Sequence, residues 1–380
     1  MKKIITIILS ISMLTLSLTA CSKAEGGDDK KVKVCVLTGS EEADSRAYLA
    51  AKSISNLYKL KNKDKNANDE VEHFILPKNS NSAKKVVDKI VADEDIEAVV
   101  FSGNDKNMLN YIENIKSKRD DMLLMGADLD MTVEEMSKNL DLSFESTEMS
   151  SGKDTTMLAK EMGAEVFVTY YSDKDLKENE NLNKKIAEIK DECAKQNIEF
   201  VEVKVNDINS KEDEYKVKKF ISEDLQKQIY KYGENINVYG TNSTMDDVLL
   251  RRAMKSKLII SEVSDGCIVD EVDDLYRMIM KTAEKGSFRN NVGVIAGKNS
   301  KYNMEKRVGG LLMPNDIFAL YAAVDTSISA VEQDVDENKL CKASFIEKSI
   351  SEKNGISGAF KNAKPGMKNV KIVSVDQVIY

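Results

Sequence analysis

The sequence predicts an α/β protein made of two doubly wound, Rossmann-like lobes joined by a hinge. Three observations predict it. Short apolar runs of strand length alternate with stretches of helical periodicity, the pattern of strands connected by amphipathic helices. The alternation runs through two successive series of similar length, separated by a less regular piece that ends near residue 146. Several apolar runs end in small, hydroxyl- or amide-bearing residues, such as Thr38-Gly39-Ser40 and Thr241-Asn242, which favour turns and helix caps.

In the first series, residues 33–37 (KVCVL) read as a strand followed by the Thr38-Gly39-Ser40 loop. Residues 41–60 carry Ala47, Leu49, Ala50, Ile54 and Leu57 at helical spacing. A second strand over 71–76 is ended by Pro77, and residues 82–92 form a helix with Val86, Val87, Ile90 and Val91 on one face. A third strand over 98–101 turns through Ser102-Gly103-Asn104-Asp105 into a helix striped by Met108, Leu109, Ile112 and Ile115. Residues 122–125 give a fourth strand that runs into Gly126-Ala127-Asp128, and 140–144 a short fifth.

The second series opens with a helix capped by Ser150, Ser151 or Asp154 and ended by Gly163. Residues 165–171 (EVFVTYY) form its first strand, and Leu182, Ile186, Ile189 and Cys193 mark the next helix. Residues 198–205 alternate apolar with charged side chains, which predicts an edge or half-exposed strand. A long helix through Val217, Ile221, Leu225 and Ile229 stops at Gly233. A strand over 236–239 leads into Gly240-Thr241-Asn242, a helix spans 245–254, and a strand over 257–263 ends in Ser264-Asp265-Gly266. Val272, Leu275, Ile279 and Ala283 mark a further helix. Beyond residue 291 the pattern blurs into a strand over 292–296, an Ala-, Leu- and Ile-rich helix over 316–331, and a tail with one strand at 370–375.

The amino terminus, MKKIITIILSISMLTLSLTAC, has two lysines, a short apolar run and a small residue before Cys21. The run is short for a membrane-spanning helix, and its flanks are those of a secretory signal. The segment Leu18-Thr19-Ala20-Cys21 resembles the lipobox of bacterial lipoproteins, which implies a lipid (palmitate among its acyl chains) on Cys21. The expected organisation is a signal peptide over 1–20, a lipidated cysteine and tether over 21–31, an N-terminal lobe over 32–146 and a C-terminal lobe over 147–288. Residues 289–380 are expected to return and pack mainly on the N-terminal lobe. The chain would then sit on the extracytoplasmic face of a bacterial cell membrane, held by lipid.

The 380 residues carry 56 Lys+Arg against 64 Asp+Glu, a net charge of -8. No basic stripe is visible, so nucleic acid is not an expected partner. Of five cysteines, Cys35, Cys193, Cys267 and Cys341 remain after Cys21, at spacings that fit no metal or disulfide framework. Cys35 and Cys193 read as buried small hydrophobes, and a Cys267–Cys341 bridge is left open. The single histidine, His73, lies in a predicted strand, and no G-x-S-x-G elbow accompanies it. Residues 293–299 (GVIAGKN) lack the spacing and the Ser/Thr of a P-loop. The expectation is therefore a non-enzyme with no cofactor and no metal.

In open parallel sheets, ligands sit beyond the carboxyl ends of the strands, where helix amino termini supply free N–H groups. Applied to the first lobe, this rule selects Thr38, Gly39, Ser40, Ser102, Gly103, Asn104 and Asp128 as ligand-binding candidates. In the second lobe it selects Tyr170, Tyr171, Ser172, Thr241, Asn242, Ser264 and Asp265. At each position an ordinary turn or cap role competes with ligand contact.

Residues 159–171 (AKEMGAEVFVTYY), 220–245 (FISEDLQKQIYKYGENINVYGTNSTM) and the VVFSGN stretch at 99–104 resemble a family of uncharacterised bacterial lipoproteins with the type I periplasmic-binding-protein fold. The resemblance spans roughly residues 32–264. It departs where the family has a Pro- and aromatic-rich segment and this chain reads SDGCIVDEVDD. It implies capture of a small molecule by hinge closure of two lobes, for the permease of an ABC importer, by a monomer. The absence of Trp disfavours a sugar site built on indole stacking. Phe101, Phe144, Tyr170 and Tyr171 offer rings for a nucleoside-like or other ring-containing ligand, and Asp128 or Asp265 would take ribose hydroxyls. A surface sensor signalling occupancy to a membrane partner is the second reading, and a hydrolase or isomerase on the same fold the third. If the lipobox reading holds, Cys21→Ser abolishes incorporation of labelled palmitate and releases the chain from the membrane fraction; a variant that keeps its label contradicts it.

Overall fold

The structure, a computed structural model, describes residues 31–63, 69–146, 151–262, 296–297 and 299–380. The first lobe runs β1 (Lys33–Gly39), α1 (Ser45–Lys63), β2 (Glu70–Leu76), α2 (Ser80–Ala92), β3 (Ile96–Gly103), α3 (Met108–Lys118), β4 (Leu123–Leu129), α4 (Val133–Asn139) and β5 (Leu142–Ser146). The second runs α5 (Gly152–Glu161), β6 (Val166–Tyr171), α6 (Asp173–Glu178), α7 (Glu180–Gln196), β7 (Glu199–Lys204), α8 (Lys211–Tyr232), β8 (Ile236–Gly240) and α9 (Ser243–Ser256). The chain ends with β9 (Gly309–Leu311), α10 (Asn315–Gln333), α11 (Glu337–Leu340), α12 (Ala343–Asn354), β10 (Gly358–Lys364), β11 (Met367–Val375) and β12 (Gln377–Ile379). The expected helix over 272–283 and most of the strand at 292–296 lie outside the described residues, as do Cys21 and Cys267.

The first sheet has seven strands in the order β10-β11-β5-β4-β3-β1-β2. All its pairings are parallel except the β10–β11 hairpin. The second has the order β7-β6-β8, all parallel, and is continued by parallel bridges from Asn237 to Ile259 and from Ile260 to Val308. The two-lobed α/β class read from the sequence is the one observed. β7 lies at an edge, and each of its residues is exposed or half-buried, as its charged side chains require. β9 and β12 form an antiparallel pair beside the second lobe, and Tyr380 N–H donates to the Val308 carbonyl.

Local chemistry sets the helix ends. Asn79, Ser151, Ser172, Asn179, Ser210 and Asn242 each accept a backbone N–H as the cap of α2, α5, α6, α7, α8 and α9, satisfying donors that a helix start leaves free. Thr132 and Glu135 make a reciprocal capping box at α4. Gly152, first in α5, lets that helix approach α7, because a Cβ there would lie 2.3 Å from the Lys185 carbonyl oxygen.

The first sheet is covered on both faces. α1, α10 and α12 pack on one face with Val34, Val36, Val100 and Phe144. α2, α3 and α4 pack on the other with Leu37, Val99, Phe101 and Leu124. Helix α10 is apolar on all sides and buried from Asn315 through Ala330 with only Asp316 partly exposed, as a helix enclosed by protein must be. It also buries one charge-bearing group, Asp325. That carboxylate accepts from Tyr58 Oη at 2.9 Å and from Asn354 Nδ2 at 2.7 and 2.6 Å. Around it, Lys61 donates to the Lys353 carbonyl and to Asn354, and Lys353 bridges Asp69 and Glu332. Burial pushes the Asp325 carboxyl up to about 6, against the pull of Lys61. Tyr58→Phe removes a donor from this buried acceptor and is expected to cost roughly 1–3 kcal/mol of stability, read by urea unfolding; a loss below a few tenths would contradict this role.

Candidate functional site

Because β1, β3, β4 and β5 are parallel, their carboxyl ends share one edge of the first sheet. Helices α1 and α10 both begin at a cavity on that edge. It has a volume of about 110 Å³ and is lined by Asp44, Arg46, Ala47, Ser102, Gly103, Asp128, Asp316 and their apolar neighbours Ala50, Ile317 and Leu320. Asp44 Oδ1 accepts the Ala47 N–H at 3.1 Å and so caps the start of α1. Gly103 holds φ at +103°, and a Cβ there would come within 2.9 Å of Asp44 Oδ2; only glycine allows both the backbone angle and this approach. Asp128 holds a left-handed φ of 51°, a conformation that Asp and Asn tolerate better than most residues. Its Oδ1 accepts from Ser146 N and Oγ at 3.2 and 2.6 Å. Asp316 is gripped at both oxygens by Arg46 at 2.6 Å, a bidentate pair that ties α1 to α10.

The cavity gathers Ser102, Gly103 and Asp128 from the residues selected in the sequence. Thr38 turns away: it is fully buried, with Oγ1 2.8 Å from His73 Nε2 and 2.9 Å from the Gly39 carbonyl. Gly39 is buried, Ser40 accepts the Ala43 and Asp44 N–H groups on its carbonyl, and Asn104 is exposed beside the cavity residues. In the second lobe Ser172, Thr241 and Asn242 converge. Ser172 caps α6, and Thr241 Oγ1 and Asn242 Nδ2 both donate to Asp175 Oδ2, at 2.5 and 2.9 Å. Tyr170 is fully buried and donates to Asp224 at 3.0 Å, whereas Tyr171 stays half-buried. Ser264 and Asp265 lie outside the described residues. The aromatic sandwich is not formed: Phe101 and Phe144 are core residues on opposite faces of the first sheet, and Phe144 packs edge-on against Phe360.

Four polar residues of these two clusters escaped the sequence reading: Asp44, Arg46, Asp316 and Asp175. Asp44 stands at a cap position and Asp316 in a first helical turn, where acidic residues are common. Nothing local pairs Arg46 with a residue 270 positions away. A second, larger groove of about 720 Å³ runs between α5 and the ends of β11, β9 and β12, with Met157 42% exposed on its wall. In the second lobe, Lys185 and Glu262 form a buried ion pair at 2.6 Å that also engages Thr155. Among the described residues no group of three or more His, Cys, Asp or Glu side chains is arranged to hold a metal ion. No helix among them is long and apolar enough to cross a membrane.

The electrostatics of the first-lobe edge are set by crowded carboxylates. Glu145, next to Ser146 on β5, accepts from Ser143 Oγ at 3.1 Å. Burial, then the neighbouring Asp128 charge, pushes its carboxyl up to about 8. His73 is driven the other way, down to about 4, by burial and then by Lys52 and Lys59.

These observations define a two-lobed α/β protein with polar clusters at the carboxyl ends of its strands. The chain belongs to the family described as protein of unknown function DUF3798, whose model matches residues 32–309. A search of the curated proteins finds no match. Among solved structures, the chain is similar to a Clostridium difficile 630 protein whose description proposes a transcriptional regulator. The two are 28% identical, with a TM-score of 0.72, over 92% of this chain and 99% of that one. A sugar ABC transporter structure from Actinomyces odontolyticus overlaps 92% of this chain and 97% of its own at 11% identity and a TM-score of 0.47. An ABC transporter substrate-binding protein from Desulfitobacterium hafniense overlaps 91% and 96% at 13% identity and 0.39.

Glu145 provides a pH test. Its folded pKa lies above its unfolded value, so its contribution to stability is present below about 4.5 and is lost as pH rises through about 8. Glu145→Gln is expected to flatten the fall of unfolding free energy between pH 4.5 and about 8; parallel profiles for variant and parent would contradict the assignment.

Proposed function

We propose that the protein is a membrane-anchored, extracytoplasmic solute-binding lipoprotein that captures a small polar ligand between its lobes for an ABC importer. The observation that carries this reading is the first-lobe cavity. It sits at the carboxyl ends of parallel strands, where this architecture presents ligands, and it is lined by polar side chains whose hydrogen-bonding capacity the protein only partly uses. The Ser172, Asp175, Thr241 and Asn242 cluster offers polar groups at the corresponding edge of the second sheet, so closure about the hinge would enclose a solute from both sides. The cavity is well below the 300–1,000 Å³ of a typical ligand pocket, and it would hold one end of the solute. The nucleoside-like lean of the sequence loses support where Phe101, Phe144 and Tyr170 are buried, and Tyr171 is the aromatic candidate left with exposure. The reading is of a monomer without enzymatic activity.

A second reading, ligand sensing on behalf of a partner, draws on the Clostridium difficile relative, whose description proposes regulation and whose chain is spanned to 99%. Both readings require a small-molecule ligand.

Thermal unfolding of the purified full chain against nucleosides, sugars, amino acids, amines and organic acids tests them. A ligand at 100 times its dissociation constant adds about 2.7 kcal/mol, a visible rise in Tm. A rise confined to one chemical class is the expected result. A flat panel, repeated after unfolding and refolding to strip bound solute, would count against solute capture.

A further inference from the structure

The acceptors of the first-lobe cavity are unevenly satisfied. Asp316 spends both oxygens on Arg46. Asp44 and Asp128 each engage only Oδ1, on Ala47 N and on Ser146, so each Oδ2 has no protein partner among the described residues. Ser102 is 3% exposed and lines the cavity, and its hydroxyl has no hydrogen-bond partner among the described residues. Its oxygen can therefore accept from a group that enters the space lined by the two carboxylates. Among the described residues that line the cavity, the cation Arg46 is paired with Asp316. Three acceptors and a local excess of negative charge therefore meet in about 110 Å³.

We infer that this cavity is the anchoring subsite for a primary ammonium group, held by Asp44, Asp128 and Ser102. An ammonium carries three N–H donors and no acceptor, which matches three acceptors one for one. Its charge offsets the two carboxylates in a partly desolvated site, where such pairing is stronger than in water. A phosphate or carboxylate end would meet like charge. A sugar diol would supply donors but leave the charge unbalanced. The inference rests on the solute-capture reading and assigns its ligand class.

The test measures binding to the full chain by calorimetry with ethanolamine, putrescine and lysine as primary amines, and choline as an ammonium with no N–H. Ribose, succinate and inorganic phosphate represent the other classes. Saturable binding of a primary amine, with choline at least roughly tenfold weaker, is expected from the loss of hydrogen bonds to charged groups. Asp44→Asn keeps a competent helix cap and removes only charge; it is expected to weaken the amine roughly tenfold or more. Ser102→Ala is expected to weaken it with no loss of Tm in the free protein. Binding of ribose, succinate or phosphate without amine binding would overturn the ammonium assignment while leaving solute capture standing. So would equal affinity for ethanolamine and choline, or amine binding untouched by both substitutions. Silence from every class would overturn the parent reading as well.

Discussion

The structure depends on the burial of one helix. α10 is enclosed by the first sheet, α1 and α12, and its large side chains Ile317, Phe318, Leu320, Tyr321, Val324 and Ile328 are all within the core. Each such side chain contributes about 1.5–3 kcal/mol when taken out of water, so this helix anchors the returning chain to the first lobe. Its burial has two consequences. Asp325 is carried into the interior and has to be matched by Tyr58 and Asn354, which draws α1 and α12 together. The helix also starts at the carboxyl edge of the sheet, so Asp316 becomes a wall of the cavity there.

That cavity is thus assembled from parts that are already constrained. Asp44 is held as a cap, Asp128 by a left-handed backbone and two bonds from Ser146, and Arg46 by its bidentate partner. Side chains fixed by other bonds lose little further freedom when a ligand arrives. Burial, and then the charge of Asp128, raises the carboxyl of nearby Glu145 to about 8.

Much of the lobe architecture was legible because strands buried on both faces read as unbroken apolar runs and their helices carry a clear stripe. What escaped were α12, whose Phe345, Ile346 and Ile350 stripe was read as part of a tail, and several elements with little apolar signal. α4 is a seven-residue helix whose sign is the capping box of Thr132 and Glu135 rather than periodicity. β10 (GAFKNAK) is a mostly exposed edge strand held by its hairpin with β11, and β9 and β12 are three residues each. Of the residues selected just after each strand, the structure gathers Ser102, Gly103 and Asp128 at the first-lobe cavity, and Ser172, Thr241 and Asn242 around Asp175. The selection rule could not tell that Thr38 turns to His73 or that Tyr170 turns to Asp224, since a strand covered on both faces gives no sign of which side chain reaches the edge. Nor could it find Asp316, which reaches the site only through tertiary packing.

The most direct test of the account is native mass spectrometry of the full chain purified without denaturation from the cells that make it, compared with Asp128→Asn. Asn retains the left-handed backbone and the acceptor for Ser146, so only the charge facing the cavity changes. A low-mass adduct on the parent protein that is depleted in the variant is the result the account predicts. An adduct retained equally by both, or found on neither, would contradict the placing of solute capture at the first-lobe edge.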